Sequence, residues 1–530
     1  VGFRLIGVNA QGPDGHKRVM STPFAPLPML VLAPPKSDLF EFLSEADRLV
    51  RRYPQLLKQI DADLDLHGKN KKAFRLEDAR WREARSQPLP TLEWSPMTAR
   101  AEQLVLEPGR PRTPAYVVYM FVVGRGYFGG FKSCEATTLL LESTTLTVFL
   151  HHQGVNMPGG STLNELANAV SNDTREMILR AQLSDVLEER WDDFQVLIQD
   201  STAVEGNTQW PTDSKLIVDL VGRLIRRGER LDRFGLSNFN QPRAAKVLAQ
   251  LSSLHKQISL AVGVARKDRA RERKKAYRAI LRLARKAHGT MAPLVARARR
   301  ESGMLDILPS RRDMALRLVL CLESDIRNLL QVVECCEARV VHERKVPAED
   351  KVVSVADPSA SFIVKGGRDT VVGYKPQLGR SGKGFVTGLI VPLGNAADSG
   401  QLIPMFKQVV DNTGVVPSMV STDDGYSSEE GRDELKARGV KVVSISGSKG
   451  KRITPQDEWD DPEYVDARNG RSAVESLMFT IKQGFDFGRV MRRGLENVRA
   501  ELLEKVLAYN FCRMARSRSA AAEPEQRRAA

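Results

Sequence analysis

Residues 194–202 read Phe-Gln-Val-Leu-Ile-Gln-Asp-Ser-Thr, a short apolar run that ends in a carboxylate. The length of the run and its β-branched residues predict a buried strand that carries Asp200 at its edge. The segment that follows, 213–346, shows no strand pattern, so this strand has to find its partners much later in the chain. A sheet assembled from such distant pieces indicates a mixed α/β domain with a long helical insertion.

Strands and helices alternate after residue 351. We predict strands over 352–356, 371–378, 385–393, 418–422 and 440–446, with helices over 399–412 and 429–438. Residues 472–514 are predicted to be helical, because apolar side chains such as Val498, Leu502 and Val506 recur at helical spacing and should face a core.

These patterns divide the chain into five parts. They are a loosely organised N-terminal region (1–112), a helical, candidate DNA-binding domain (113–190), a mixed α/β domain in two pieces (191–212 and 350–515), a basic helical insertion (213–349) and a disordered tail (516–530). In the second part, short helices around 162–170 and 172–187 form a weak helix-turn-helix pattern. Plain packing helices are the alternative.

The charge balance favours a polyanionic partner. The 530 residues contain 80 Lys and Arg against 65 Asp and Glu, a formal net charge of +15. Between residues 266 and 286, eleven Lys and Arg face only Asp268 and Glu272. We predict that this helix binds nucleic-acid phosphates, with a solvated helix face as the alternative. The candidate residues are Arg266, Lys267, Arg273, Lys274 and Lys275.

Several classes of protein are disfavoured. The longest apolar run, 115–123, has nine residues, whereas a bilayer span needs roughly 20. We see no secretory leader, and the five scattered cysteines fit a reducing cytoplasm. The seven histidines show no zinc-binding spacing with cysteine, so oxygen ligands are expected for any metal. We therefore expect a cytoplasmic protein without a membrane partner.

Three carboxylates stand where a divalent cation could be bound. Asp200 ends the first strand, Asp423 follows the strand 418–422, and Glu475 lies near the start of a helix. Carboxylates without a neighbouring Cys or His cluster favour hard cations such as Mg²⁺ or Mn²⁺. Two such ions about 3.5–4 Å apart support in-line attack on phosphorus. The sequence therefore predicts phosphodiester chemistry.

The residues around Glu475 suggest phosphate binding. Arg471 and Lys482 lie four residues before and seven residues after it, which puts all three on one helix face. A guanidinium and an ammonium beside a metal ligand are suited to phosphate oxygens. An ordinary helix-stabilising Arg-Glu pair is the alternative.

An ordered set of motifs resembles bacterial insertion-sequence transposases of the DDE type. The motifs are Asp200-Ser201-Thr202, Gly373-Tyr374-Lys375, Gly394-Asn395-x-x-Asp398-Ser399, Asp423-x-Gly425-Tyr426 and Arg471-x3-Glu475-x6-Lys482. They look most like the ISNCY-like and related groups, which carry a Tyr-Arg-Glu-Lys signature. The resemblance implies an RNase H-like catalytic domain, a mixed sheet flanked by helices. It also implies that Asp200, Asp423 and Glu475 hold two Mg²⁺ or Mn²⁺ ions, with Arg471 and Lys482 as signature partners that bind DNA.

The resemblance further implies a DNA transposase that binds terminal inverted repeats, hydrolyses one strand and joins the freed 3′-OH to target DNA. A homodimer or larger synaptic assembly at the bacterial nucleoid is expected. Two alternatives stay open: a catalytically inactive, transposase-derived DNA-binding protein, and a stand-alone RNase H-like nuclease.

Four positions bear on the assignment. Arg468 stands where the signature has Tyr. Asp357 also ends an apolar run and rivals Asp200, which we favour because the family's first aspartate stands in an Asp-Ser/Gly-Thr motif. Asp424 is a weaker rival for the second acidic position. Asp398 is predicted to cap the helix that follows it.

Overall fold

A computed structural model describes residues 38–86, 113–129 and 158–529, together with isolated residues between 135 and 149. Short gaps fall at 211, 237–240, 261–265, 348–349 and 365–369. The predicted N-terminal region therefore lies largely outside the described residues.

Helices make up most of the described part of the chain. In chain order they are α1 (Asp38–Arg52), α2 (Gln55–Ser86), α3 (Ala115–Tyr127), α4 (Gly160–Ala169), α5 (Asn172–Glu188), α6 (Asp213–Asp232), α7 (Gln241–Leu260), α8 (Arg266–Ser302), α9 (Pro309–Cys336), α10 (Leu402–Thr413), α11 (Glu429–Ala437), α12 (Ser448–Ile453), α13 (Gln456–Trp459), α14 (Pro462–Gly470), α15 (Ser472–Phe485) and α16 (Leu495–Ala529).

The strands form two sheets. They are β1 (Val196–Ser201), β2 (Val204–Glu205), β3 (Ser361–Ile363), β4 (Val371–Tyr374), β5 (Gln377–Ser381), β6 (Val386–Ile390), β7 (Met419–Thr422) and β8 (Val442–Ile445). The larger sheet has the order β6-β5-β1-β7-β8, and the smaller one has the order β2-β4-β3. Strand β1 pairs antiparallel with β5 and parallel with β7. The mixed α/β fold is confirmed, and the strand predicted from 194–202 lies at the centre of its mixed sheet.

Helices cover both faces of the larger sheet. Successive side chains of β1 point to opposite sides of the sheet, and each side packs against different helices. Leu197 packs into a cluster with Phe406 of α10 and Leu435 of α11. Ile198 belongs to the cluster on the other face, which contains Val474 of α15 and Leu502 of α16. The sheet is therefore buried on both sides, and the strand ends are the places where it can present polar side chains to a ligand.

Two predicted strands were wrong. Residues 352–356 form no strand, and instead Val353 and Val355 are buried in two different hydrophobic clusters where the helical insertion meets the sheet. The strand predicted over 371–378 is broken, since β4 belongs to the smaller sheet and β5 to the larger one. Pro376 stands at the break, where the missing amide hydrogen cannot continue a ladder.

The insertion is a helical bundle with its own core. Helices α6 to α9 bury a cluster that includes Leu220, Tyr277, Ile280 and Leu322. Within the described part of residues 213–346 the structure contains no strand, as the sequence predicted. The chain thus leaves the sheet after β2, builds this bundle, and returns for β3.

The N-terminal helices belong to the main core. Phe42 of α1 and Tyr119 of α3 are fully buried in the cluster that also holds residues of α16. Residues 38–86 thus form two helices, of which α1 supplies apolar side chains to the main core, while the rest of the predicted N-terminal region lies outside the described residues. Helix α5 is buried along most of its length, which supports the packing interpretation of 172–187 over a recognition helix.

The tail predicted to be disordered continues helix α16 to Ala529. Arg518 anchors it, because its guanidinium bonds to Glu45 at 2.8 Å and stacks over the Trp191 ring at 4.7 Å. Composition alone could not reveal these distant partners. Among the described residues, no helix has the length and apolar character that a bilayer span requires.

Candidate functional site

Two of the predicted aspartates end neighbouring strands. In the parallel pairing of β1 with β7, Ile198 lies opposite Ser421. Asp200 and Asp423 each stand two residues further along. Paired strands lie about 4.8 Å apart, and the carboxyl ends of parallel strands meet at one edge of a sheet. The fold thus brings these two residues to neighbouring strand ends from positions far apart in the chain.

Both aspartates also belong to one face of the sheet. Asp200 alternates with Ile198, which packs in the same cluster as Val474 and Ile481 of α15. Ser421, which has the same parity as Asp423, donates from its hydroxyl to a backbone carbonyl of α14 at 2.8 Å. The backbone of Asp423 is extended, so the alternation continues to it. The helix that bears Glu475 therefore covers the face on which the two aspartates lie.

Glu475 is held by its neighbour. Arg471 Nη2 donates to Glu475 Oε1 at 3.0 Å, and the glutamate side chain is 62% exposed. Further along α15, Lys482 Nζ donates to the carbonyl of Ala203 at 3.4 Å, just after β1. Helix α15 thus lies against the segment that follows Asp200. In the part of the chain that the structure describes, no three His, Cys, Asp or Glu side chains are close enough to hold a metal ion.

The chemistry of the donor set fits a hard divalent cation. One oxygen of Asp200 accepts from the Ser201 amide at 2.6 Å, and one oxygen of Asp423 accepts from the Gly425 amide at 2.9 Å. Such backbone bonds orient each carboxylate at the end of its strand. Carboxylate oxygens are the ligands that Mg²⁺ and Mn²⁺ prefer, and Glu475 could join them by exchanging the Arg471 guanidinium for a cation.

The two rival aspartates have other partners. Asp357 is fully buried, and its oxygens accept from the Tyr374 hydroxyl at 2.6 Å and the Gly494 amide at 3.1 Å. It therefore ties the smaller sheet to the start of α16. Asp424 Oδ1 accepts from the amides of Lys449 and Gly450, at 2.8 and 3.0 Å, and so caps α12.

Asp398 was predicted to cap a helix, and this prediction was wrong. Its side chain makes no capping bond. Instead, it accepts from Lys375 Nζ at 2.9 Å and from Gln377 Nε2 at 2.8 Å. The ammonium of Lys375 is a stronger donor than a helix amide, since the pair is charge-assisted and the Lys375 side chain is only 8% exposed.

This aspartate lies beside the predicted site. A Cβ atom built on Gly425 would stand 3.0 Å from Asp423 Oδ1 and 3.3 Å from Asp398 Oδ2. The hydroxyl of Tyr426 donates to Gln377 Oε1, and Gln377 faces Ser201 across the β1–β5 pair. A buried hydrogen-bond network therefore joins the turn after Asp423 to the strand beside Asp200. We call Lys375, Gln377, Asp398 and Tyr426 the bracing network.

The pKa of the Tyr426 hydroxyl is affected by the carboxylates at this edge of the sheet. Burial raises the pKa of its hydroxyl far above the ordinary value, and the carboxylates of Asp398, Asp200 and Asp423 raise it further. Tyr426 thus stays neutral and remains a donor to Gln377. The motif Asp423-x-Gly425-Tyr426 carried a sequence signal for this residue, but its partner could not be read from the chain.

The remaining predicted residues are dispersed. Arg468 stacks its guanidinium over the Trp459 ring at 4.5 Å, so this side chain has a local packing role. On α8, Lys274 pairs with Glu343 at 3.1 Å, Arg273 lies over the Tyr277 ring, and Lys275 is exposed. The side chains of Arg266 and Lys267 lie outside the described residues.

Comparison with known protein families gives a match to part of the chain. A family model described as a transposase DDE domain matches residues 333–511. Neither the curated proteins nor the solved structures contain a match to this chain. The matched segment includes Asp423, Glu475 and strands β5 to β8, but not Asp200. Because β1 pairs on both sides with strands of that segment, it completes the same sheet.

The match supports a DDE transposase, which in general is a nuclease or transferase that acts on DNA and uses divalent metal ions.

Proposed function

We propose that this chain is a DDE-type DNA transposase in which Asp200, Asp423 and Glu475 bind two Mg²⁺ or Mn²⁺ ions. One observation carries the proposal. Asp200 and Asp423 end neighbouring parallel strands, on the face that is covered by the helix bearing Glu475. This arrangement supports oxygen ligands from two neighbouring strand ends, which Glu475 would join on leaving Arg471.

The strand order supports an RNase H-like catalytic domain. Counted in chain order within the larger sheet, the strands are arranged third, second, first, fourth, fifth. The second strand pairs antiparallel with both the first and the third. The fourth strand pairs in parallel with both the first and the fifth. Helices on both faces agree with the arrangement that the motif resemblance implied.

The chain's own residues divide the chemical work. Divalent ions, when bound, would activate the attacking oxygen and stabilise the leaving one. Asp200 and Asp423 are preset by their backbone bonds, whereas Glu475 has to leave Arg471. That exchange frees the Arg471 guanidinium to bind a phosphate next to the scissile bond, with Lys482 further along the same helix.

Asp200 is preferred over Asp357 as the first ligand. Asp357 is enclosed and satisfied by Tyr374 and Gly494, so recruiting it would break a buried link. For the same reason Asp423 is preferred over Asp424, which caps a helix. The DNA partners in this proposal are the terminal inverted repeats and the target, brought together by a homodimer or larger assembly of ISNCY-like type.

Nicking of DNA tests the proposal. A plasmid carrying the sequences that flank this reading frame is incubated with the protein and Mg²⁺ or Mn²⁺, and cleaved and strand-transfer products are resolved on gels. We expect cation-dependent cleavage that Asp200→Asn, Asp423→Asn and Glu475→Gln each abolish, because each removes a negatively charged ligand. All three variants should still bind the DNA.

Asp411→Asn is the matched control, since this exposed aspartate lies on α10 away from the strand ends, and it should cleave normally. Cleavage that survives Asp423→Asn and Glu475→Gln would contradict the proposal. Binding without cleavage by the unmodified protein would instead favour the inactive, DNA-binding alternative, and cleavage of RNA–DNA hybrids without strand transfer would favour the nuclease.

A further inference from the structure

One face of α8 carries a row of exposed cations. Its members lie four, three, four and four residues apart, so they form one line along the helix. They are Arg271, Lys275, Arg278, Arg282 and Lys286, which we call the α8 row. Among the residues that the structure describes, no carboxylate forms an ion pair with any of them.

The opposite face of α8 fixes the row in place. Tyr277, Ile280, Ala284, Met291 and Val295 are buried in the core of the helical bundle. The row is therefore displayed outward from a packed helix, so little ordering is needed before it can bind a ligand.

Other cations of this helix are already neutralised. Lys274 pairs with Glu343 at 3.1 Å, Arg285 pairs with Glu337, and Arg297 pairs with Glu301 at 2.6 Å. Among the described side chains of α8, the structure thus distinguishes a group of cations that pair with carboxylates from the α8 row. The sequence showed one continuous basic stretch, in which these two groups looked alike.

We infer that the α8 row binds the sugar-phosphate backbone of duplex DNA, which deepens the proposed function and rests on it. At 1.5 Å per residue, the row from Arg271 to Lys286 is about 22 Å long. One strand of a duplex offers a phosphate about every 3.4 Å along its axis, so the row spans roughly six phosphates. A straight line of exposed Lys and Arg side chains suits contacts to the phosphate backbone, which carry no sequence information.

The bundle begins at Asp213, shortly after β2, and Tyr277 of α8 interacts with Asp213 and Ser214 at that end of the bundle. In this proposal, the DNA on the α8 row is duplex that flanks the strand ends. A bound duplex there orients the substrate without touching the reacting phosphate.

The salt dependence of DNA binding tests this inference. Anisotropy of a short, labelled duplex of random sequence is measured over a range of KCl concentrations. The variant Lys275→Gln/Arg278→Gln/Arg282→Gln should reduce the slope of log K against log salt by about 2.7, at about 0.9 per lost phosphate contact. The matched control is Lys274→Gln/Arg285→Gln/Arg297→Gln, which also removes one lysine and two arginine charges, but from the residues that pair with carboxylates. It should lower the slope by less than about 1, because those cations already have partners.

Equal losses in the two triple variants would overturn the inference, since net charge alone would then account for binding. An unchanged slope in the row variant would overturn it as well, as would tighter binding of the row to phosphatidylserine vesicles or single-stranded RNA. Circular dichroism of both variants checks that they keep the helical content of the parent.

Failure of the inference is distinguishable from failure of the proposed function. If Asp423→Asn abolishes nicking while the row variant binds the duplex normally, the catalytic proposal stands and the row does not bind DNA. If the row variant loses duplex binding and neither the unmodified protein nor any variant nicks DNA, DNA binding by the α8 row is supported and the catalytic proposal is contradicted.

Discussion

At the scale of single residues, the buried Lys375–Asp398 pair is the part of the site region most sensitive to substitution. Lys375→Met removes the cation and leaves Asp398 with only the Gln377 amide and no charge partner. Loss of one partner from a buried ion pair costs about 3–5 kcal/mol. We expect the free energy of unfolding, measured in urea, to fall by that amount.

Lys407→Met is the comparison for this substitution. Lys407 is 52% exposed and lies 3.8 Å from Glu434 on the surface. An exposed pair of this kind contributes less than about 1 kcal/mol. Equal destabilisation by the two substitutions would show that the bracing network is not rigid around Asp398.

At the scale of elements, the crossing of α3 over α16 depends on a glycine. A Cβ atom at Gly126 would lie 1.9 Å from the backbone carbonyl oxygen of Glu504. Backbone atoms of a buried helix cannot yield as a flexible side chain can, so Gly126→Ala has to push the helices apart. We expect a loss of about 1–3 kcal/mol or more in the free energy of unfolding, seen as a lower urea midpoint.

Gly289→Ala, in another helix, is expected to raise the free energy of unfolding. No atom lies within 4 Å of a Cβ at this position on α8. Alanine should therefore stabilise the protein by about 0.5–1 kcal/mol, because glycine loses more backbone entropy in a helix. A neutral Gly126→Ala would contradict the close packing of α3 against α16.

The same scale shows why some elements were foreseen and others were not. The run 418–422 and the helix after it have their own turn signals and became β7 and α11 with small shifts of boundary. The run 352–356 is richer in apolar residues than 418–422, but it has no adjacent strand to pair with, and Val353 and Val355 are buried in hydrophobic clusters instead. An element that depends on a partner cannot be inferred from its own residues.

At the scale of the whole molecule, one carboxylate joins three distant segments. Glu504 of α16 binds Arg125 of α3 at 2.6 Å, Arg175 of α5 at 2.7 Å, and Arg492. Burial by itself raises the pKa of Glu504, but the three guanidinium groups outweigh it and hold the pKa far below the ordinary value of 4.5. This cluster links the N-terminal helices to the helix that supports the sheet.

A depressed carboxyl pKa in the folded state makes stability depend on pH in a definite direction. The contribution of Glu504 is complete above its unfolded pKa, near 4.5, and is lost progressively as the pH falls toward the folded pKa. Glu504→Gln should therefore lower the free energy of unfolding at pH 7 by about 3–5 kcal/mol. The difference from the parent should shrink as the pH falls below 4.5.

Denaturant titrations at several pH values measure this difference. Glu496→Gln, at an exposed position of the same helix, should follow the parent at every pH. A Glu504→Gln difference that stays constant with pH would contradict the assignment of a charged Glu504 to this cluster.

Local patterns in the chain were enough to predict a strand around Asp200 and helices over most of the described part of 213–346, and they singled out Asp423 and Glu475 as acids to test. Period, turn residues and motif spacing are properties of neighbours along the chain. The partners of Asp398, the burial of Val353 and Val355 in two clusters and the pairing of some α8 cations with carboxylates depended on the folded molecule. Burial and ion pairing are set by residues far away along the chain, and those contacts exist once the chain has folded.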